Sequence, residues 1–462
     1  MADYSIRELE KWNEKIEEIA KEAGLDYYDQ EFEIISYEDM MGYETYIGMP
    51  SHYPHWSYGK AYERIKTLNR YNLSGLAYEM VINANPCIAY LMKDNTLLLQ
   101  ILTIAHVYGH NDFFKNNRMF KIGTRADYTL EMFKNHANRI RAYIADPGIG
   151  YKKVERILNA AHALKYQTSR LVGEKRIPEN EKRKAVLERY SKEDYDFPLL
   201  NPKNQKTDTG VELNKIPIEP EENILYFLSK YGRLSEWEKD MLDIVREETT
   251  YFVPQIETKI MNEGWASFWH YTILNKLELT QGLHFEFLKR HNQVIRPHEG
   301  RINPYYIGFK IFEDLVRKYP DNPNKIFEVR EIERDQSFLR RYLTYELCNE
   351  MNLFEYIKVD RDYVISEVPD EEGWKTIRDT LVFSTGMGGI PNIVVDEWVQ
   401  KDNTLILEHK YDGRELELNY AYETLKHIAD LWDGKVMLIT FLDNKRKIVI
   451  CDEQKRITMT NT

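Results

Sequence analysis

The stretch LLLQILTIAHVYGH, residues 97–110, decides how the chain is read. Its apolar residues fall on every side of a 3.6-residue period, so a helix here has no polar face to turn to water and belongs inside the protein. Asp94, Asn95 and Thr96 offer caps for its start. Near its far end stand two imidazoles, His106 and His110, one turn apart on one face. Two rings at this spacing share a metal ion in H-E-x-x-H helices. Here the string is HVYGH: the spacing is kept, but Val107 stands where the glutamate base would be. A pair of core histidines bonded to carbonyls is the competing explanation. Burying two imidazoles on an apolar helix without partners is costly, which favours a ligand. Gly109 lets another backbone come close, and Tyr108 is assigned as a substrate contact.

A partner helix is expected at NEGWASFWHY, residues 262–271. Glu263 and His270 are seven apart and share a face, while Gly264 and Ala266 thin the helix for a close neighbour. Glu263 would complete a two-His plus Glu site, with His270 as fourth ligand or as a donor behind it. The alternative is that Glu263 pairs with a base and the aromatic residues are core. In the string PSHYPHWSYGKAYE, residues 50–63, His52 and His55 suit a substrate-binding loop or lid, or an aromatic loop packed on the body. Glu79, Asp112 and Glu257 are carboxylates near these segments; Glu257 and Glu79 are the candidates for a general base. His284, His291 and His298 repeat at seven, but Gly282 and Pro297 are expected to break a helix there, so the repeat is read as coincidence. No P-loop, dinucleotide fingerprint or G-x-S-x-G elbow is present. Ser384-Thr385-Gly386-Met387-Gly388-Gly389 is read as a loop before a strand.

Outward from this core, Ser5 and Glu8 form a capping box for a helix of Ile6, Leu9, Trp12, Ile16 and Ile19 that stops near Gly24. Residues 26–56 show no clean period and are expected to be irregular. Residues 73–92 read as a broken helix restarted by Asn85 and Pro86. Helices are expected over 125–145, 150–171, 235–248, 253–276, 301–318 and 337–353. Residues 174–222, with five prolines and the polar run 201–209, read as a surface excursion. After about Tyr356 the period becomes two, with strands expected at 363–368, 393–399, 404–411, 415–420, 436–441 and 447–451. A hairpin is expected at Tyr411-Asp412-Gly413-Arg414, and one helix over 419–431. The fold is therefore expected to be mainly α: a helical metal-site domain over 1–355 and a smaller C-terminal α+β domain over 356–462.

Composition removes several classes. Of 462 residues 43% are hydrophobic, enough for a large core. The net charge of −12 and the absence of a basic stripe argue against nucleic acid. No run reaches the roughly 18 apolar residues that span a bilayer, and the polar, charged first ten residues predict no signal peptide. Three distant cysteines, Cys87, Cys348 and Cys451, fit buried thiols in a reducing compartment, so a cytoplasmic location is expected.

The strings PSHYPHWSYGK, LAYEMVINANPCIAYLM, AHVYGHNDFFKNN, MNEGWASFWHY and STGMGG together resemble the stage V sporulation protein R (SpoVR) family, over nearly the whole chain. The resemblance implies a role in formation of spore cortex peptidoglycan, with a wider role in bacteria that do not sporulate; it implies a process and not a reaction. An E-G-W-A helix beside an H-x-x-x-H helix is also similar to the helix pair of gluzincin-type zinc peptidases, which implies Glu263 as third zinc ligand beside His106 and His110. The reading is a zinc-dependent hydrolase of amidase or peptidase type, acting on a protein or peptidoglycan precursor. The alternatives are a non-catalytic regulatory or scaffold protein and a helical di-iron oxidoreductase, with iron in place of zinc.

Overall fold

The computed structural model describes residues 4–71, 79–173, 175–193, 215–297, 302–359 and 362–461. Along these the helices are α1 (Ile6–Glu22), α2 (Tyr37–Thr45), α3 (Trp56–Arg70), α4 (Leu97–Asn116), α5 (Arg118–Gly123), α6 (Thr129–Ala145), α7 (Gly150–Leu164), α8 (Glu179–Glu193), α9 (Ile224–Tyr231), α10 (Glu236–Glu257), α11 (Lys259–Lys276), α12 (Gln281–Val294), α13 (Pro304–Lys318), α14 (Lys325–Ile332), α15 (Asp335–Tyr342), α16 (Tyr345–Glu350), α17 (Gly373–Ser384) and α18 (Leu418–Trp432). The strands are β1 (Gln30–Ile35), β2 (Glu79–Ile82), β3 (Cys87–Met92), β4 (Glu355–Val359), β5 (Asp362–Glu367), β6 (Ile393–Val399), β7 (Thr404–His409), β8 (Val436–Leu442), β9 (Lys445–Cys451) and β10 (Ile457–Asn461). The fold is mainly α with a C-terminal α+β region. Contacts divide the chain into two units, Met1–Ala142 with Thr250–Gly389, and Tyr143–Thr249 with Ile390–Thr462. Tyr356, where period two begins, lies on β4 within the first unit.

In the first unit α4 is the central element. Thr96 caps it, its hydroxyl accepting from Leu99 N–H. It is packed on α1, α11, α12, α14, β2 and β3, which explains why it carries no polar stripe. Its closest neighbour is α11, and the approach is set by missing side chains. A Cβ on Gly109 would lie 2.6 Å from Ala266 Cα. On the other side of α11, Gly264 faces Gly308 of α13, where an added Cβ would lie 2.2 Å from Ile260 O. The N-terminus of α11 is capped from α15: the buried Asp335 carboxylate accepts from Ile260 and Met261 N–H, both at 2.9 Å. Burial pushes the Asp335 carboxyl up to about 8 despite these two bonds.

Beside α4 lies a three-stranded sheet of order β1-β3-β2, with β1 parallel and β2 antiparallel to β3. This corrects two expectations. Residues 26–56 hold β1 and α2 rather than an irregular segment, and the described part of 73–92 forms two strands rather than a helix. The run Cys87–Met92 is a six-residue apolar strand, a length at which periodicity does not separate a buried strand from a buried helix. Residues 73–78 of that expectation, the polar run 201–209 and His298 lie outside the described residues.

In the second unit a five-stranded sheet runs β10-β9-β8-β7-β6. The expected hairpin at 411–414 is a turn of another kind. It leads through residues with no strand structure into α18, and β7 and β8 pair parallel. Parallel neighbours need a crossover, which α18 supplies, so 415–420 is the approach to a helix and not a strand. The excursion holds α8 and returns to the sheet edge, where Glu221 and Val395 exchange both backbone hydrogen bonds.

Candidate metal centre

Four side chains from three elements meet in the first unit. His106 and His110 come from α4, Glu263 from α11, and Glu79 from the start of β2. Glu263 Oε2 lies 3.8 Å from His106 Nε2 and 3.6 Å from His110 Nε2. Glu79 Oε1 lies 3.9 Å from His106 Nε2. Ligand atoms of Glu79, His106 and His110 all fall within 4.8 Å of one another. Both imidazoles are buried, and each carboxylate keeps 19% of its side chain exposed, so the cluster has a route to solvent.

The far nitrogens of both rings are occupied. His110 Nδ1 lies 2.9 Å from Asn262 Oδ1, an acceptor, so Nδ1 carries the hydrogen and Nε2 keeps its lone pair. His106 Nδ1 lies 2.9 Å from His270 Nδ1, and His270 Nε2 lies 2.8 Å from His291 Nδ1 on α12. His106 Nε2 and Glu263 Oε2 are buried and hydrogen-bond to no group among the described residues. Buried polar atoms without a partner are rare and call for an explanation. Two ligand atoms on one tetrahedral ion with bonds near 2 Å stand about 3.3 Å apart. The observed separations of 3.6 and 3.8 Å are close to that span and too long for hydrogen bonds. The donor set of two imidazoles and carboxylate oxygens therefore fits a divalent transition metal.

The electrostatics separate the groups. Burial pushes Glu263 up, but the nearby imidazoles of His106 and His110 and the phenol of Tyr305 outweigh it, and the carboxyl lies below its ordinary range. Burial raises Glu79, His106 offsets part of this, and Glu263 adds to the rise. Burial, with repulsion from His106, lowers His110 to about 4. Tyr305, at the N-terminal end of α13, is raised well above 10, first by the Glu263 charge and then by burial. Its ring stacks on His106 with centroids 6.1 Å apart.

The other expected site residues lie elsewhere or further back. His270 reaches His106 only through its ring nitrogen, as a partner behind the first ring. Glu257 is not brought to the cluster: its Oε1 accepts from Met387 N–H and its Oε2 from Arg334, so it anchors the glycine turn after α17. Tyr108 points its hydroxyl at Asn13 and packs edge-on to Tyr27 and Phe32, as a core residue of the α1 side. His52 sits among Tyr46, Tyr53, Tyr58 and Phe133, and His55 caps α3. Asp112 is fully buried and bonded to Asp26 N–H and Trp265 Nε1. No sequence motif marks Tyr305, and His291 shows in the sequence only as part of a seven-residue repeat of histidines. Gly282 does not break that helix; it is the second residue of α12, in a first turn where glycine costs little.

Comparison with known proteins gives a consistent identity. A family model described as "SpoVR like protein" matches residues 3–390, and one described as "SpoVR-like C-terminal domain" matches 391–443. The chain belongs to the SpoVR family. The junction between the two matches falls one residue from the change of unit at Gly389 and Ile390. The chain is also similar to a SpoVR-family relative named "Uncharacterized protein YcgB" from Escherichia coli (strain K12), with 35% identity over 94% of this chain and 92% of the relative. No solved structure matches the chain. Among the described residues no helix is long and apolar enough to cross a membrane.

Proposed function

We propose that this SpoVR-family protein is a metal-dependent hydrolase of amidase or peptidase type, acting on a peptide or peptidoglycan precursor in envelope or cortex assembly. The observation that carries the reading is the pair of buried atoms without partners, His106 Nε2 and Glu263 Oε2, facing each other beside His110 Nε2. His106, His110 and Glu263 would hold one zinc ion. Such an ion supplies a Lewis acid that makes water acidic enough to act as a nucleophile near neutral pH. Glu79, on a strand rather than a helix and 3.9 Å from His106 Nε2, would take the water's proton, the role that Val107 leaves open on α4. Tyr305, whose ring stacks on His106, would donate to oxygen charge that develops on a carbonyl. The same donors accept iron, and metal analysis separates the two.

The test is hydrolysis of amide bonds by the zinc-loaded protein, with precursor stem peptides and protein-derived peptides as substrates. Glu79→Gln is expected to keep the metal and lose turnover by about 10²-fold or more. A zinc-loaded protein that cleaves none of these amides, or a Glu79→Gln variant with full activity, would overturn the hydrolase reading.

A further inference from the structure

The far side of His106 holds an arrangement that the metal centre itself does not require. Most metal-bound histidines give their second N–H to a carboxylate or carbonyl, which can only accept. Here the partner is His270, which can donate or accept at the same atom. The other ring nitrogen of His270, Nε2, meets a further imidazole, His291. All three rings are buried. His291 is held between Tyr271 and Phe309, with centroids 4.6 and 5.0 Å away, so its plane is fixed.

We infer that His106, His270 and His291 form a chain of neutral imidazoles with coupled tautomers, so that metal occupancy at His106 sets which nitrogen of His291 carries hydrogen. The inference rests on the metal-site reading above. A neutral imidazole has one N–H and one lone pair, and charging a ring at this depth is costly. Both contacts, at 2.9 and 2.8 Å, need a donor and an acceptor. Only two neutral arrangements satisfy both. In the first, hydrogens sit on His106 Nδ1, His270 Nε2 and His291 Nε2, and His106 Nε2 presents its lone pair. In the second, they sit on His106 Nε2, His270 Nδ1 and His291 Nδ1. A metal at His106 Nε2 permits only the first. Without it, His106 Nε2 faces the carboxylates of Glu263 and Glu79 at 3.8 and 3.9 Å, which favours a hydrogen there and so the second.

The change balances. On metal binding one proton leaves His106 Nε2 for solvent. The hydrogen of His291 Nδ1 passes to His270 Nε2, that of His270 Nδ1 passes to His106 Nδ1, and His291 Nε2 takes one proton from solvent. No charge stays in the chain. His270 and His291 are thus positioning residues: when metal binds, they accept along the chain the hydrogen bond from the hydrogen that His106 must carry on Nδ1.

The experiment uses the full chain labelled with 15N-histidine. Two-bond 1H–15N spectra report the tautomer of each ring after chelator stripping and after adding one equivalent of zinc. His291 is assigned by the loss of its signals in His291→Asn. Its hydrogen is expected on Nδ1 in the stripped protein and on Nε2 in the loaded one. Zinc affinity is expected to fall about tenfold or more in His291→Phe, which cannot accept from His270. It should be largely restored in His291→Asn, whose amide oxygen can. If zinc binds with one-to-one stoichiometry while His291 keeps one tautomer throughout, the coupling is overturned and the metal site stands. If the folded wild-type protein binds no zinc, both fall.

Discussion

The same two helices, α4 and α11, carry two carboxylates, the buried Asp112 and the half-buried Glu263, and treat them in opposite ways. Asp112 is saturated. Its Oδ1 accepts from Asp26 N–H at 2.8 Å, its Oδ2 accepts from Trp265 Nε1 at 2.8 Å, and Arg330 Nε stands 3.5 Å away. Burial, opposed by Arg330 and these bonds, leaves its carboxyl at about 6. Glu263 Oε2 has no hydrogen-bond partner among the described residues and faces two imidazole nitrogens instead. A buried carboxylate that serves the fold is closed off by the fold's own donors. One that serves a ligand is left with its valence directed at the ligand's place. The contrast explains why only one of the two is a functional candidate, although both are acids on the same helix pair.

The largest effect separates these roles directly. Asp112→Ala is expected to destabilise the metal-free protein by about 3–5 kcal/mol, because it leaves Arg330, Trp265 Nε1 and Asp26 N–H buried without their acceptor. Glu263→Gln is expected to cost about 1 kcal/mol or less in the same state. Denaturant unfolding of both variants after chelation checks this; equal losses would erase the distinction between the sites.

A smaller effect comes from the neutral rings behind Glu263. Burial, followed by His106, holds both His110 and His291 at about 4, with Lys310 a further cause for His291. A histidine whose folded pKa lies below its unfolded value of about 6.5 contributes stability that is complete above that pH. The contribution is lost as pH falls toward 4, because the unfolded chain takes up protons that the folded chain refuses. Metal-free protein should therefore lose stability between pH 6.5 and 4, by up to about 3 kcal/mol per ring, and His291→Asn should flatten the slope. A slope unchanged in His291→Asn would show that this ring is not held neutral.

The smallest expected effect tests the backbone approach that brings α13 against the far side of α11. Gly308→Ala places a methyl 2.2 Å from Ile260 O and 2.6 Å from Gly264 Cα, where nothing flexible can yield. A loss of about 1–3 kcal/mol is expected. Gly59→Ala, on α3 with nothing within 4 Å of the added Cβ, should be neutral or stabilising by about 0.5–1 kcal/mol. Matching thermal or denaturant midpoints for the two would remove the close-approach argument.

The sequence made some of this legible and hid the rest for physical reasons. The buried helix α4, the His106 and His110 pair, Glu263 on a facing helix and the strand β6 follow from period, caps and spacing, all local properties. Gly109 and Ala266 are small residues that admit a neighbour, and they meet each other. The sheet of β1, β2 and β3 was hidden because short apolar runs beside prolines and tyrosines carry no distinguishing period. Asp412-Gly413 carries a hairpin signal, yet the turn feeds a crossover helix, since a turn says nothing about where the next strand pairs. Tyr305, Gly308 and His291 reach the α11 side of the site only through tertiary packing, and a single sequence holds no pattern for that. Glu257 and Glu79 were equal candidates as bases; only the fold sends one to Arg334 and Met387 and the other to His106.

The most direct measurement is the metal content of the full chain, purified without affinity-tag nickel and compared with His106→Ala and Glu263→Ala at matched folded fraction. The account predicts about one zinc or iron ion per wild-type chain and a near-complete loss in both variants while the helical signal is retained. A folded wild-type protein carrying no transition metal, and taking up none when it is supplied, would contradict it.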